Sequence, residues 1–147
     1  MADIVKPEVR SKIMSRIKGR DTKPEIAIRK ALHRRGFRFR KNVRELPGSP
    51  DIVLPKWRTV IFVHGCYWHR HPGCAKATMP STNVEFWSAK FKGNIDRDRR
   101  NVESLLSNGW RVGIIWECVI GKSPNDVLLD SVSKFVRNTE LKLGVFE

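Results

Sequence analysis

The stretch VIFVHGCYWHRHPGC, residues 60–74, gathers His64, Cys66, His69, His71 and Cys74 into a few turns of chain, and a third cysteine, Cys118, closes the later run WRVGIIWEC. Thiolate and imidazole are the donors that Zn²⁺ prefers. Cys66, His71 and Cys74 follow the spacing C-x4-H-x2-C, and Cys118 supplies a fourth ligand for a closed, structural Cys₃His site. The alternative is that these are ordinary buried thiols. Against it stands the loop CYWHRHPGC, which has too few aliphatic residues to hold a shape by packing, so that a bound metal would fix it. His64 and His69 remain outside this ligand count. Either is a satisfied polar group or, since imidazole titrates near neutrality, a proton relay to a water or sugar oxygen.

Oxygen donors occur nearby. In SPDIVLPKWRTVIFVHG, Asp51 begins one expected strand and His64 ends the next, so that, as adjacent strands, they could bring Asp51 beside the Val63 carbonyl and His64. A carboxylate and a carbonyl suit Mg²⁺, which keeps several waters and completes its shell with substrate phosphate. Pro-Asp is also common in plain turns. Glu25 lies three residues after Thr22, a capping-box spacing that accounts for it without chemistry. A helix N-terminus facing a phosphate could use the same glutamate to contact a metal-bound water.

Several elements must position these groups. VRSKIMSRIKGR reads as a short basic helix with Val9, Ile13 and Ile17 on one face, ended by Gly19. A second helix starts at Thr22, with Pro24 in its first turn and Ile28, Ala31 and Leu32 on its apolar face before Gly36. Strands are expected over 37–40, 50–54 and 58–63, the first at an edge and the third central. A helical region from Ser81 to Gly109 is expected to break near Gly93, WRVGIIWEC forms a buried strand, and a last helix runs from Ser123 and Pro124 to about Leu141. A helix between two apolar strands implies a crossover. The fold class is therefore α/β, a mixed sheet flanked by helices.

The chain has 147 residues, the size of one domain, and 40% hydrophobic residues, enough for a core. Three cysteines do not make a disulfide framework, and no run is long and apolar enough for a membrane span or a signal peptide; a cytosolic protein is expected. Lys and Arg outnumber Asp and Glu by 29 to 15, and residues 1–44 hold fifteen of those cations against four acids. This is the charge distribution of a nucleic-acid binder. Binding to anionic membrane is the weaker alternative, because KALHRRGFRFRKNVR lacks the pattern of a basic amphipathic helix.

MSRIKGRDTKPE, PGSPDIVLP, VIFVHGCYWHRHPGC, TNVEFW, RDRRN and GWRVGIIWEC, in this order over about residues 7–120, together resemble the very short patch repair (Vsr) DNA mismatch endonucleases. The resemblance implies a restriction-endonuclease-like fold with a structural zinc, and Mg²⁺-dependent nicking of double-stranded DNA beside the thymine of a T:G mismatch. It makes Asp51 the Mg²⁺-binding carboxylate together with the Val63 backbone carbonyl, and sets His64 and Glu25 against metal-bound waters. His69 becomes the acid/base group near the scissile phosphate, and Cys66, His71, Cys74 and Cys118 hold Zn²⁺. Tyr67, Trp68 and Trp87 match aromatics that enter the base stack, although Trp87 beside Phe86 also suits a core. Residues 1–20, with Arg16 and Lys18, form a basic segment that clamps DNA ahead of a single endonuclease domain at 21–147. Two positions depart from the family pattern: Val63 replaces a common threonine, and one more residue separates His71 from the next cysteine.

The expectation is thus a monomeric, bacterial, nucleoid-associated nuclease that leaves a 3′-hydroxyl and a 5′-phosphate after in-line attack of water. Two rivals stand beside it. A non-catalytic zinc module that marks distorted DNA would keep the cysteines, the basic arm and the aromatics but has no use for Asp51. A nuclease of the same fold with another mismatch or sequence preference would share every catalytic residue.

Overall fold

The computed structural model describes residues 21–147. The expected basic helix, the clamp segment 1–20, Arg16 and Lys18 lie outside the described residues.

Helix α1, Lys23–Arg34, begins where the sequence signals it: Thr22 is the N-cap, and its hydroxyl accepts from the Glu25 N–H at 3.5 Å. The reciprocal half of the capping box is shifted by one residue. The Glu25 carboxylate accepts from the Asp21 N–H at 2.7 Å, because Asp21 adopts a left-handed backbone with φ 55°. Gly36, at φ +92°, closes the helix as a Schellman turn, with the Gly36 N–H on the His33 carbonyl and the Phe37 N–H on that of Leu32.

Five strands make one sheet in the order β1 to β5: β1, Arg40–Lys41; β2, Ile52–Leu54; β3, Thr59–His64; β4, Arg111–Trp116; and β5, Leu143–Phe146. β1, β2 and β3 pair antiparallel, and β3, β4 and β5 parallel, so the sheet is mixed as expected. β3 lies at its centre and every residue of it is buried. The first strand is shorter than expected and begins three residues later. Phe37, read as its start, is instead buried edge-on to Trp57 at 6.3 Å.

The crossover from β3 to β4 is helix α2, Val84–Ser107. It runs unbroken through Gly93, contrary to the expected break. Glycine costs a helix interior only about 1 kcal/mol relative to alanine, too little to interrupt a long packed helix. After β4 come a short helix α3, Glu117–Ile120, which carries Cys118, and helix α4, Asp126–Arg137. α4 is capped by Asn125, whose side chain accepts from the Leu128 N–H at 2.8 Å, and it ends before Leu141, because the chain turns into β5. β5 was not foreseen in the sequence.

Alternate residues of β3 feed two cores. Ile61 and Val63 pack with Ile28 and Leu32 of α1 and Val132 and Phe135 of α4, whereas Val60 and Phe62 pack with Leu105 of α2. Helices therefore cover both faces of the sheet, and the ends of β2, β3 and β4 are left free to hold polar groups. Among the described residues no helix is long and apolar enough to cross a membrane.

Candidate functional site

A cleft of about 460 Å³ opens where β2 begins and β3 ends, with Glu25, Asp51, Val63, His64, His69 and Asp98 in its lining. Strand register sets Asp51. With Ile52 opposite Ile61, the position opposite Val63 falls to Pro50, which has no N–H to donate. The Val63 N–H turns instead to the Asp51 carboxylate at 2.7 Å. The Val63 carbonyl lies on the same side of the strand as that N–H, toward the same end of the sheet. The substitution of valine for threonine leaves these backbone groups intact.

Glu25, 4% exposed, enters from the first turn of α1. Burial, and then the neighbouring Glu25 charge, push the Asp51 carboxyl up to about 7 from an ordinary 3.8. Two carboxylates crowded together in this way attract a cation. Arg29 supplies part of that charge, one turn along α1 and itself buried, donating to Asp21 at 2.7 Å, to Glu25 at 3.2 Å and to Asn42 at 3.3 Å. Among the described residues its Nε has no partner. Arg29 escaped notice in the sequence because it is one of many cations there, and only its i, i+4 spacing from Glu25 pointed to it.

His64 and His69 stack face to face, with ring centroids 3.9 Å apart and planes 4° from parallel. Burial, reinforced by His69, pulls His64 down to about 3, so it is a neutral imidazole at ordinary pH. His69 Nδ1 lies 2.6 Å from the Asp98 carboxylate, a bond that orients the ring and engages one of its two nitrogens. Asp98, in RDRRN on α2, was the other residue missed. An acid among three arginines and an asparagine reads as a helix-surface charge until α2 is folded back over the loop.

The same loop builds the second cluster. One ligand atom from each of Cys66, His71, Cys74 and Cys118 falls within 4.8 Å of all the others. His71 Nδ1 stands 3.6 Å from the Cys66 sulfur and 3.5 Å from that of Cys118. Sulfur and nitrogen placed tetrahedrally around Zn²⁺ at ordinary bond lengths are about 3.6 Å apart. The donor set and its spacing thus fit a zinc ion, and the extra loop residue before Cys74 does not open the cluster. Burial pushes the Cys66 thiol up to about 12, whereas the Cys74 thiol is lowered, first by the Lys76 N–H. The Cys66 N–H donates to Glu117 at 3.0 Å, tying the loop to α3.

Tyr67 and Trp68, in the same loop, are half-buried, edge to face at 5.0 Å, and rest on Phe91. Trp87 is buried at 8% exposure and packs behind Trp68 at 6.3 Å, whereas its neighbour Phe86 is 62% exposed. Asn94 of α2 donates to the Trp68 carbonyl at 3.0 Å, fixing the tip of the loop.

A family profile described as DNA mismatch endonuclease Vsr matches residues 2–76. The chain is 44% identical over 118 residues to the type II nicking enzyme V.XorIIP of Xanthomonas oryzae pv. oryzae, covering 80% of this chain and 86% of that protein. It is likewise 44% identical over 120 residues to the DNA mismatch endonuclease Vsr of Escherichia coli, covering 82% of this chain and 76% of that one. A type II nicking enzyme of Neisseria meningitidis, V.NmeAIP, matches at 44% over 118 residues. These alignments span more of the chain than the profile does, and the chain belongs to the DNA mismatch endonuclease Vsr family.

Proposed function

We propose that this chain is a Mg²⁺-dependent endonuclease that nicks double-stranded DNA beside the thymine of a T:G mismatch, leaving a 3′-hydroxyl and a 5′-phosphate. The observation that carries the reading is Asp51: a carboxylate fixed by a strand amide, crowded by Glu25, in one cleft with a neutral histidine and a histidine–aspartate pair. A DNA-marking module has no use for that arrangement.

Asp51 and the Val63 carbonyl would hold Mg²⁺, with Glu25 and His64 bonding to its waters. The ion, when bound, would supply charge to the phosphate and the leaving 3′-oxygen. His69, oriented by Asp98, would exchange a proton through its Nε2 with the attacking water or the leaving 3′-oxygen at the scissile phosphate. Arg29 would hold Glu25 in place and offset the charge of the carboxylate pair. Cys66, His71, Cys74 and Cys118 would hold a structural Zn²⁺, shaping the loop that carries His69. Tyr67 and Trp68, backed by Trp87, would lie against the base step beside the mismatch, where unstacking is least costly.

The mixed sheet suits a restriction-endonuclease-like core at 21–147, with residues 1–20, including Arg16 and Lys18, clamping the duplex. A monomer acting in the bacterial cytoplasm on nucleoid DNA completes the reading. One labelled duplex carrying T:G, T:A or C:G at a single position, incubated with Mg²⁺ or EDTA, tests it. Nicking of the thymine strand of T:G alone, and only with Mg²⁺, is expected. Binding without nicking, with zinc full and Mg²⁺ present, would favour the non-catalytic module.

A further inference from the structure

We propose that Glu147 is a positioning residue for the Cys66, His71, Cys74 and Cys118 metal site, and that the ion, acting through His71 and Glu147, clamps strand β5 to the sheet. The inference rests on the zinc reading above and adds to it a residue outside the ligand set and a mechanical consequence.

His71 has one nitrogen for each task. Nδ1 faces the sulfurs of Cys66 and Cys118, at 3.6 and 3.5 Å, and is the nitrogen a metal would take. A coordinated Nδ1 leaves the proton on Nε2, and Nε2 lies 2.8 Å from the Glu147 Oε2, a distance at which the N–H donates to the carboxylate. The bond selects the tautomer that presents a lone pair to the thiols. The plane of the ring is fixed separately: Trp116 stacks on it at 4.3 Å and 10°. A ligand histidine with its far nitrogen on a carboxylate is more basic and better oriented, and losing such a partner typically weakens metal binding about 10–100-fold.

Glu147 directly follows β5, the outermost strand on its side of the sheet. β5 has modest burial of its own. Leu143 and Val145 are 46% and 48% exposed, and its register with β4 extends over four residue pairs. Phe135 of α4 passes so closely over Gly144 that a Cβ there would sit 2.8 Å from the ring, and Phe146 meets the same ring edge-on at 5.9 Å. The Glu147–His71 bond adds a tether at the end of the strand, and that tether is only as rigid as the imidazole it holds. An ion that immobilises His71 therefore immobilises the end of β5. By reciprocity, a docked β5 strengthens ion binding by the same factor. Glu147 is 55% exposed, so water competes for its carboxylate whenever the ring is free to turn.

The test uses the full chain as wild type, Glu147→Gln and Glu147→Ala. Zinc affinity is measured by competition with a chromophoric chelator, and hydrogen exchange of the amides at 143–146 is followed with and without zinc. Wild type should take up one ion. Glu147→Ala should bind it about 10–100-fold more weakly. Glu147→Gln, which keeps an acceptor oxygen but not the charge, should fall between them and serves as the probe if the alanine variant fails to fold. Zinc should slow exchange in β5 of the wild type and have little effect on β5 in Glu147→Ala, whereas the zinc-free proteins should unfold at the same temperature. Unchanged zinc affinity in both variants, or β5 exchange indifferent to zinc in the wild type, overturns the proposal and leaves the metal site standing. A wild type that takes up no zinc overturns the metal reading and this inference with it.

Discussion

The acidic cleft and the thiol–imidazole cluster share the segment 64–74, whose histidines divide between them. His64 and His69 face the cleft, and His71 turns the other way to face the cysteines. The cleft is held by the sheet: Asp51 is set by strand register, Glu25 by a helix cap and His69 by a carboxylate on α2. In the cluster, three of the four ligands come from the loop, which is braced by the Cys66 amide on Glu117, by Trp116 stacked on His71 and by Arg70, which donates to the Tyr67, Thr78 and Ala77 carbonyls. A framework of strands and helices can hold ionisable groups away from their ordinary titration, as the raised Asp51 carboxyl and the neutral His64 show. If the cluster holds an ion as proposed, its loss should loosen the loop and reach the sheet-held cleft through His69.

The largest effect should come from the loop. Cys118→Ser should lower zinc content from about one per chain and reduce stability on the order of 3 kcal/mol, roughly 10 °C in the unfolding midpoint. Hydrogen exchange should rise through residues 65–80 while the amides of β2 and β3 stay protected. Elemental analysis and exchange mass spectrometry read both parts. Equal loosening of the two regions would erase the distinction between them.

A smaller effect of opposite sign belongs to the cleft. Folding raises the Asp51 carboxyl from an ordinary 3.8 to about 7, so Asp51 favours the folded state below about pH 4, and that contribution is lost as the pH climbs through 7. Above pH 7 the ionised pair is strain that the framework carries. Asp51→Asn should therefore stabilise the protein without divalent ions at pH 8, by roughly 1–3 kcal/mol, and do little at pH 4. Thermal melts at the two pH values decide it. His64 acts from the acid side: its folded value of about 3 lies below the ordinary 6.5, so stability falls as the pH drops through that interval.

The subtlest effect belongs to the aromatic pair carried by the shared loop. Trp68→Ala should reduce the preference for T:G over T:A duplexes by about 1–2 kcal/mol while leaving affinity for matched DNA nearly unchanged, as measured by competition binding. Equal losses on both duplexes would assign Trp68, with Trp87 behind it, to packing alone.

What was legible in the sequence follows the range of the forces involved. The cap at Thr22, the buried run of β3 and the α/β crossover are local or periodic features, and the structure places them as read. The gathering of Cys66, His71, Cys74 and Cys118 was legible because soft ligands are rare and have few other duties. Gly93 misled because local propensity is weak beside the packing of a long helix. β5 went unseen because LGVF has neither a buried run nor a turn signal, and its pairing with β4 depends on Phe135 crossing Gly144. Asp98 and Arg29 take their significance from groups far from them in the chain or one helical turn away, which composition conceals among so many charges.

The central claim is that Asp51 holds the ion that drives strand cleavage. Nicking and binding of one labelled T:G duplex, compared between wild type and Asp51→Ala, test it most directly. Cleavage with Mg²⁺ should fall by at least about 10³-fold, whereas mismatch binding in EDTA should stay within a few fold or tighten, because removing a carboxylate near phosphate relieves like-charge repulsion. Undiminished nicking by Asp51→Ala would contradict the account and place the catalytic ion elsewhere.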